Sequence, residues 1–290
     1  CLSRGLGDVY KRQHENKEIK VTVPDNLVTD NEFFVAITKD NSKIINFIVD
    51  WLNDYCVQNS VDGFVVGVSG GIDSALTSTL CSMTKKPVLC IQMPIHQSKN
   101  EITRSTNHIK WLEKNFTNVI SVEDNLSSFY DEFVKSKNNA TSSLTYSDEK
   151  KQLAFANTRS RLRMVNLYFH ATSNNYIVAG TGNKVEDFGV GFYTKYGDGG
   201  VDISPIADCN KTEVWEIGKE LGILQEIIDA PPTDGLWDDG RTDEGQLGFD
   251  YQALEDAMIN PNSPHKIEYE KIRKQNLHKM EPIPVCKIPS

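Results

Sequence analysis

The chain has 290 residues, of which 39% are hydrophobic and 24% are charged, and its formal net charge is −9 at pH 7. This length and composition predict a globular protein with one large domain or two small ones. The acidic balance argues against a general nucleic-acid surface, which needs basic side chains to neutralise phosphates, so we expect no nucleic-acid partner.

Hydropathy and cysteine spacing indicate where the protein is located and whether its cysteines bind metal. The sequence contains no apolar run of about 18 residues and no basic, apolar, small-residue order at its start. We therefore expect neither membrane insertion nor export, and a cytoplasmic protein. The six cysteines form no C-x-x-C pair, which predicts free thiols and no cysteine metal site.

The first 13 residues, CLSRGLGDVYKRQ, do not begin with Met, and the end of this segment resembles a translated sequencing adapter or transposon end. We expect residues 1–13 to be a non-native N-terminal scar. The remaining residues, 14–290, are predicted to form a single domain.

Short apolar runs alternate with helical patterns along the chain. Runs bounded by turn residues predict buried parallel strands, and the periodic segments between them predict helices. In chain order the predicted elements are a helix over 42–57, a strand over 64–68, a helix over 74–83, a strand over 88–93, a helix over 98–113, a strand over 119–122, a helix over 148–171 and a strand over 176–179. This order predicts an α/β fold: a doubly wound, mainly parallel, Rossmann-like sheet with helices on both faces.

Two polar segments are predicted to be loops. Residues 137–147 are rich in Ser, Asn and Thr, and residues 230–248 are rich in Pro, Asp and Gly. The second segment is long enough for a functional lid. We expect residues 95–101 and 231–245 to be mobile without ligand, because both follow predicted elements and carry polar or Pro/Gly sequences.

The first predicted strand leads into Ser69-Gly70-Gly71-Ile72-Asp73-Ser74 and then a helical pattern. Adjacent glycines let the backbone approach a ligand closely, and the start of a helix offers unpaired N–H groups to an anion. The run matches neither G-x-x-x-x-G-K-[ST] nor G-x-G-x-x-G. It predicts a phosphate site, with an ordinary capped strand–turn–helix junction as the alternative.

Two motifs carry a family resemblance. The S-G-G-x-D-S run resembles the pyrophosphate loop of the ATP pyrophosphatases, and residues 180–202, GTGNKVEDFGVGFYTKYGDGGVD, are similar to the signature of NAD synthetases. Shorter matches follow in family order: Asn157-x-x-x-Arg161-x-Arg163-Met164, Lys211 after Ile203-Ser204-Pro205, Pro232-Thr233 and His265-Lys266. The resemblance spans about residues 40 to 270 and points to the ammonia-dependent NAD synthetases.

The resemblance implies an adenine nucleotide alpha-hydrolase type of fold and a ligase that uses ATP and ammonia to convert deamido-NAD into NAD, AMP and pyrophosphate. The nicotinate carboxylate would attack the α-phosphorus of ATP, and ammonia would then displace AMP from the acyl-adenylate. The resemblance also implies a homodimer, with deamido-NAD at a two-fold interface built partly from the helix that carries Arg161.

The resemblance assigns roles to individual positions. ATP would contact Gly67, Val68, Ser69, Gly70, Gly71, Ile72, Asp73, Ser74, Thr181, Lys211 and Thr233. Deamido-NAD would contact Arg161, Lys195, Asp202, His265 and Lys266. Asp73 and Glu186 would bind Mg²⁺, and together with Lys211 they are the expected catalytic residues.

Elementary chemistry supports three of these roles. Mg²⁺ takes one or two carboxylates and completes its shell with phosphate oxygens and water, which suits Asp73 with Glu186. A lysine near the β- and γ-phosphates, here Lys211, would offset charge on the departing pyrophosphate. From Glu186 to Thr194 the chain has one residue more than common members of the family, so Asp187 is the alternative metal ligand.

Two of these residues also have explanations that involve no function. For Arg161 the alternative is a solvated helix face, but Arg159 and Arg163 lie two residues away and point in other directions, so no single face explains all three. Glu186 beside Asp187 is explained by surface charge, although both follow a predicted strand end, where ligands of such sheets bind.

Other functions compete with the main one. A glutamine-dependent synthetase would add an amidotransferase domain with a nucleophilic Cys, for which the chain has no spare length, so ammonia is the expected donor. A tRNA-modifying ATP pyrophosphatase would usually have a basic RNA-binding region, and no such region is visible in this sequence. A non-catalytic nucleotide-binding module would have little use for the two motifs together.

Overall fold

The computed structural model describes residues 40–139, 145–237 and 239–288. The predicted scar, residues 1–13, and the predicted start of the domain at residue 14 lie outside the described residues, so the domain boundaries stay predictions. The described residues belong to one structural unit.

The described elements alternate between helix and strand in the first two thirds of the chain. They are α1 (Asn41–Asn59), β1 (Gly63–Gly67), α2 (Ile72–Met83), β2 (Val88–Gln92), α3 (Lys99–Asn115), β3 (Val119–Glu123), α4 (Ser127–Asn139), α5 (Asp148–Asn174), β4 (Tyr176–Val178), a π-helix (Lys184–Val190), α6 (Lys211–Glu220), α7 (Gln225–Ile228), α8 (Asp243–Leu247), α9 (Tyr251–Ile259) and α10 (Lys266–Met280).

The eight predicted elements are all present, with ends shifted by three residues or fewer. The sequence did not predict α4 or the helices after β4. The predicted loop over 137–147 is wrong at its start, because α4 continues to Asn139. The predicted lid over 230–248 contains the short helix α8, whose first turn is capped by the Thr242 side chain.

Four strands form one parallel sheet in the order β3-β2-β1-β4. Val66 pairs with Cys90, Cys90 pairs with Ser121, and on the other side Val65 pairs with Val178. The chain thus builds outward from β1 to β3 and then returns to the opposite side of β1. This reversal opens a crevice between the carboxyl ends of β1 and β4, where ligands of such sheets bind. The predicted doubly wound α/β fold is confirmed.

Alternating strand residues pack on opposite faces of the sheet, because successive side chains of a strand point in opposite directions. Phe64 and Val66 join a core with α1, α2, α3 and α6. Val65 joins a second core with Met164 and Leu167 of α5. Both faces are therefore covered by helices, and the strand ends remain as the accessible edge.

A third apolar cluster joins the π-helix to α9 and α10 through residues such as Val185, Leu254 and Tyr269. It anchors the C-terminal helices against the segment that carries Glu186. Among the described helices, none is long and apolar enough to cross a bilayer. The described cysteines are free thiols, as predicted.

Candidate active site

The loop between β1 and α2 forms an anion cradle. Gly70 has φ +88°, and a Cβ there would lie 2.7 Å from the Glu101 carbonyl oxygen, so both the backbone conformation and the close approach require glycine. The N-cap of α2 is Gly71, which offers no side-chain acceptor. The first-turn N–H groups of α2 therefore point toward the crevice without a capping side chain.

Serine side chains hold this loop in shape. The Ser74 hydroxyl donates to the Gly71 carbonyl at 3.0 Å and accepts from the Ser69 N–H at 3.2 Å. Helix α3 supports the loop from behind, because Ser105 donates to the Val68 carbonyl at 2.7 Å. The cradle is thus held in shape by the protein's own hydrogen bonds, and such preorganisation lowers the ordering cost of binding.

Beside the cradle, an amine lies between two carboxylates. Lys211 Nζ donates to Asp73 Oδ2 at 2.6 Å and to Glu186 Oε1 at 2.9 Å, and its side chain is only 1% exposed. Asp73 comes from the first turn of α2, Glu186 from the π-helix and Lys211 from the first turn of α6. Three segments distant in sequence therefore meet at the switch point of the sheet.

The charges of this cluster are strongly interdependent. Burial opposes the charged amine, yet the two carboxylates raise the pKa of Lys211 above its ordinary value. Burial also opposes ionisation of Glu186, but Lys211 and the Tyr251 hydroxyl hold the pKa of that carboxyl below its ordinary value. Burial raises the pKa of Asp73, with the Glu186 charge adding to it against the pull of Lys211. The lysine is thus a permanent cation at this point.

The π-helix sets the direction of Glu186. Its N-cap, Asn183, accepts from the Val185 and Glu186 N–H groups at 3.1 Å and donates to Asp73 Oδ1 at 2.9 Å. The helix ends where Gly191, at φ +67°, donates its N–H to the Glu186 carbonyl. An i→i+5 turn holds one residue more than an α-turn. The π-helix thus contains Glu186 and Asp187 in its first turn.

Asp187 lines the same cavity, but among the described residues it has no cationic partner like the one that Glu186 has in Lys211. Its carboxylate packs against Gly182 so closely that an added Cβ there would clash with Asp187 Oδ2. Desolvation, together with the charges of Asp198, Glu186 and Asp73, raises the pKa of Asp187 well above its ordinary value. Of the two candidate carboxylates, the structure brings Glu186 to the lysine.

A loop after α7 covers one side of the cavity. Its ends are joined by the Asp243 N–H, which donates to the Pro232 carbonyl at 3.0 Å. Gln97 donates to the Gly235 carbonyl at 2.8 Å and Arg159 donates to the Leu236 carbonyl at 2.7 Å. The two segments predicted to be mobile, 95–101 and 231–245, are therefore in direct contact. Their mobility stays a prediction.

The cavity wall contains most of the residues predicted for ATP and metal. Gly67, Val68, Ser69, Gly71, Ile72, Asp73, Ser74, Thr181, Glu186, Lys211 and Thr233 all line it. Gly70 supports it from the adjoining turn, where its carbonyl accepts from Arg104 at 3.1 Å. The structure thus brings both predicted sets to one place.

The residues predicted for deamido-NAD lie apart from this cavity wall. Arg161 donates to the Lys195 carbonyl at 3.2 Å, and Lys195 Nζ donates to the His278 carbonyl at 2.9 Å. Asp202 accepts from Tyr168 at 3.0 Å and from the Val178 N–H at 2.8 Å.

The last two predicted contacts lie farther along the chain. Lys266 donates to the Ala257 carbonyl at 2.9 Å, and His265 packs its ring against Phe249 with centroids 5.3 Å apart. All five deamido-NAD roles stay predictions.

Asp243 and Tyr251 belong to the site but were not predicted from the sequence. Tyr251 is 2% exposed, and its hydroxyl donates to Glu186 Oε1 at 2.7 Å and lies 3.3 Å from Asp243 Oδ2. Burial and the Glu186 charge raise the pKa of Asp243 to about 7. Tyr251 and Glu186 are 65 residues apart. Local periodicity carries no signal for such a contact.

The donor set fits a divalent cation that also binds phosphate. Within the described parts of the chain, no three His, Cys, Asp or Glu side chains are grouped to hold a metal ion by themselves. Asp73 and Glu186 supply two carboxylates beside an anion cradle, and hard cations such as Mg²⁺ complete their shell with phosphate oxygens and water. The residues present therefore suit a metal that arrives with a nucleotide.

Known proteins are similar to this chain over most of its length. The family model described as NAD synthase matches residues 44–288. An NH(3)-dependent NAD(+) synthetase from Carboxydothermus hydrogenoformans is 37% identical over 238 residues, which cover 80% of this chain and 92% of that protein.

Solved structures of similar fold include two bacterial enzymes. The NMN synthetase from Francisella tularensis has a TM-score of 0.75 and 28% identity, and the match covers 86% of this chain and 99% of that one. The NH3-dependent NAD synthetase from Campylobacter jejuni has a TM-score of 0.67 and 24% identity, covering 86% and 100%. The second likeness, at its lower identity, supports the fold alone.

Proposed function

Because the chain belongs to the NAD synthase family, we propose that it amidates deamido-NAD with ammonia, using ATP and releasing AMP and pyrophosphate. The observation that carries the proposal is the anion cradle of α2 facing the Asp73–Lys211–Glu186 cluster in one cavity. A free carboxylate cannot be amidated directly, since it would have to expel oxide, so activation by ATP comes first.

The protein's own groups then act mainly by position and charge. The N–H groups at the start of α2 hold the ATP phosphates, and the charged Lys211 amine stabilises negative charge as pyrophosphate leaves. The loop tied at Pro232 and Asp243 covers the cavity and limits hydrolysis of the acyl-adenylate by water. Positioning of the reactants and stabilisation of charge supply most of the catalysis.

A divalent cation completes the site. Asp73 and Glu186 would hold Mg²⁺, which neutralises phosphate charge when it is bound. Lys211 donates to both of these carboxylates. Its amine would also be available to phosphates of ATP bound beside them.

Ammonia is the proposed nitrogen donor, and the protein is proposed to act as a homodimer. The NH(3)-dependent relative from C. hydrogenoformans supports the first statement, since this match covers nearly all of that protein. Exposed apolar side chains on α4 and α5 support the second, among them Phe129 at 62%, Val165 at 67% and Phe169 at 66%. A cytoplasmic location stays a prediction from the sequence.

A second acceptor has support from one comparison. The F. tularensis enzyme of similar fold is an NMN synthetase. Amidation of nicotinate mononucleotide uses the same chemistry at the nicotinate carboxylate and differs only in the absence of the second nucleotide. The experiment must therefore compare deamido-NAD with nicotinate mononucleotide as the acceptor of ammonia.

The test supplies the protein with ATP, Mg²⁺ and ammonium, and with either deamido-NAD or nicotinate mononucleotide. We expect amidation of deamido-NAD with a larger kcat/KM than of the mononucleotide, and equimolar AMP and pyrophosphate. The reverse order of kcat/KM would assign the mononucleotide as substrate. ADP and phosphate as products would exclude the family's chemistry, and no amidated product with either acceptor would favour a tRNA substrate or a non-catalytic module.

Two controls sharpen this assay. Asp73→Asn should abolish turnover, because it removes a carboxylate from the proposed metal site. Glutamine in place of ammonium, in ammonia-free buffer, should reduce turnover to background. Turnover with glutamine equal to that with ammonium would contradict the proposed donor.

A further inference from the structure

Tyr251 joins three parts of the site through one side chain. Its hydroxyl donates to Glu186 Oε1 at 2.7 Å and lies 3.3 Å from Asp243 Oδ2. Its ring centroid lies 4.9 Å from Lys211 Nζ, close enough for a cation–π contact. The residue is 2% exposed and begins α9, which packs against the π-helix in the third apolar cluster.

The Glu186 contact fixes the direction of a carboxylate. A glutamate side chain has several rotatable bonds, and its preferred position in a cavity has to be held by neighbours. Here the oxygen that accepts from Lys211 also accepts from Tyr251. With Lys211 also engaged by a phosphate, the phenol remains a donor that holds Glu186 in place.

The Asp243 contact reaches the loop over the cavity. The Asp243 N–H closes the loop 232–243 on the Pro232 carbonyl at 3.0 Å, and this loop carries Thr233. Asp243 is 5% exposed and lines the cavity, and its Oδ1 has no hydrogen-bond partner among the described residues. One phenol thus lies between the carboxylate at the metal site and the anchor of the loop.

We propose that Tyr251 is a positioning residue that orients Glu186 for the metal and, through Asp243, couples the position of the described loop residues, 232–237 and 239–243, to that of Glu186. The identity of the bound nucleotide rests on the proposed function. The coupling between Glu186 and the loop rests on the contacts of Tyr251 and Asp243. Tyr251 acts through Glu186 and Asp243.

The main test compares Tyr251→Phe with Tyr269→Phe. Tyr269 is a matched control, because it is 6% exposed and belongs to the same apolar cluster. Two measurements are made with an ATP analogue that has a methylene bridge between the α- and β-phosphates: Mn²⁺ affinity by electron paramagnetic resonance, and amide hydrogen exchange of residues 232–243. Neither readout depends on turnover.

We expect Tyr251→Phe to weaken Mn²⁺ binding about tenfold, the effect of losing one hydrogen bond to a charged group. The variant should also lose most of the protection that the analogue gives to residues 232–243. Raised Mg²⁺ should restore part of its kcat/KM. Tyr269→Phe should match the wild type in all three measurements. Wild-type Mn²⁺ affinity and loop protection in Tyr251→Phe would overturn the proposal.

A second variant, Asp243→Asn, tests the coupling to the loop separately from the orientation of Glu186. It also provides a test if Tyr251→Phe fails to fold. It should lose loop protection while Mn²⁺ affinity stays within about twofold of the wild type, because Glu186 keeps its phenol donor. Unchanged loop protection in Asp243→Asn would overturn the coupling. A wild-type protein that shows both Mn²⁺ binding and loop protection without amidating either acceptor would refute the proposed function and leave the coupling intact.

Discussion

Lys211 is the residue on which the charge balance of the site depends. Its side chain is 1% exposed and donates to two carboxylates, and its amine lies near the Trp215 and Tyr251 rings. A buried charge without a partner is costly, so removing one member of such a cluster destabilises the others. The lysine therefore has a structural role without nucleotide in addition to the proposed catalytic one.

Lys211→Met should reduce kcat/KM by on the order of 10² to 10³ and lower the free energy of unfolding by about 3 kcal/mol. The loss arises because Asp73 and Glu186 would face each other without a cation. Added Mg²⁺ should recover part of the lost melting temperature. Lys219→Met, on the exposed side of the same helix, is the control and should change neither quantity. Equal stability of the two variants would contradict this account.

Glu186 and Asp187 offer a direct comparison between neighbouring carboxylates. Glu186→Gln should lower kcat/KM about a hundredfold, because the substitution keeps shape and removes one charge from the proposed metal site. Asp187→Asn should stay near wild type and should be no less stable, since burial and like charges already favour the neutral form of Asp187. The measurement is kcat/KM across a Mg²⁺ titration. If Asp187→Asn loses activity while Glu186→Gln stays active, the metal ligand is Asp187 instead of Glu186.

At the scale of elements, the contact between α2 and α3 contains a buried histidine. His108 is fully buried, its Nε2 lies 3.0 Å from Ser78 Oγ, and its ring stacks on Trp111. Burial lowers the pKa of His108 to about 4. Helix α3 also supports the phosphate loop through Ser105, so the packing of α2 against α3 bears on the site.

This histidine predicts a defined pH dependence of stability. In the unfolded chain a histidine takes up a proton below about pH 6.5, whereas folded His108 does so only near pH 4. The unfolded state binds more protons between these values, so His108 makes the free energy of unfolding fall as pH is lowered, by up to about 3 kcal/mol. Above pH 6.5 this contribution is absent.

His108→Gln keeps a polar group near Ser78 and cannot titrate. Urea unfolding at pH 7 and pH 5 should therefore show a smaller loss of stability in this variant than in the wild type. His278→Gln, at an exposed position, should keep the wild-type difference between the two pH values. An unchanged difference in His108→Gln would mean that other groups determine the acid sensitivity.

At the scale of the whole molecule, α5 presents apolar side chains to solvent. Val165 and Phe169 are 67% and 66% exposed and lie four residues apart, so they share one face of the helix. Exposed apolar faces of this kind mark interaction surfaces. We expect a homodimer, with a sedimentation mass twice the chain mass of 32.6 kDa.

Phe169→Glu should shift the sedimentation mass toward the monomer, because it places a charge in a face that dimerisation would bury. Phe47→Glu, at a residue of α1 that is 73% exposed, is the matched control and should stay dimeric. A Phe169→Glu protein that remains dimeric would locate the interface elsewhere. A wild-type monomer would remove the dimer from the proposed function.

The sequence by itself determined the sheet and the phosphate loop. Short apolar runs, helical periodicity and the glycines at 70 and 71 are local properties, so they identify strands, helices and a close backbone approach without knowledge of the fold. The signature over 180–202 likewise determined the family. The later helices lacked such signals: α10, for example, buries only Tyr269.

Only the tertiary structure decided which side chains meet. Glu186 rather than Asp187 reaches Lys211, because the π-helix, capped at its start by Asn183, directs Glu186 toward that amine. Tyr251 reaches Glu186 across 65 residues, because α9 packs on the π-helix through an apolar cluster. Such contacts depend on how distant segments bury their apolar faces together, and that packing is not encoded in any single stretch of the chain.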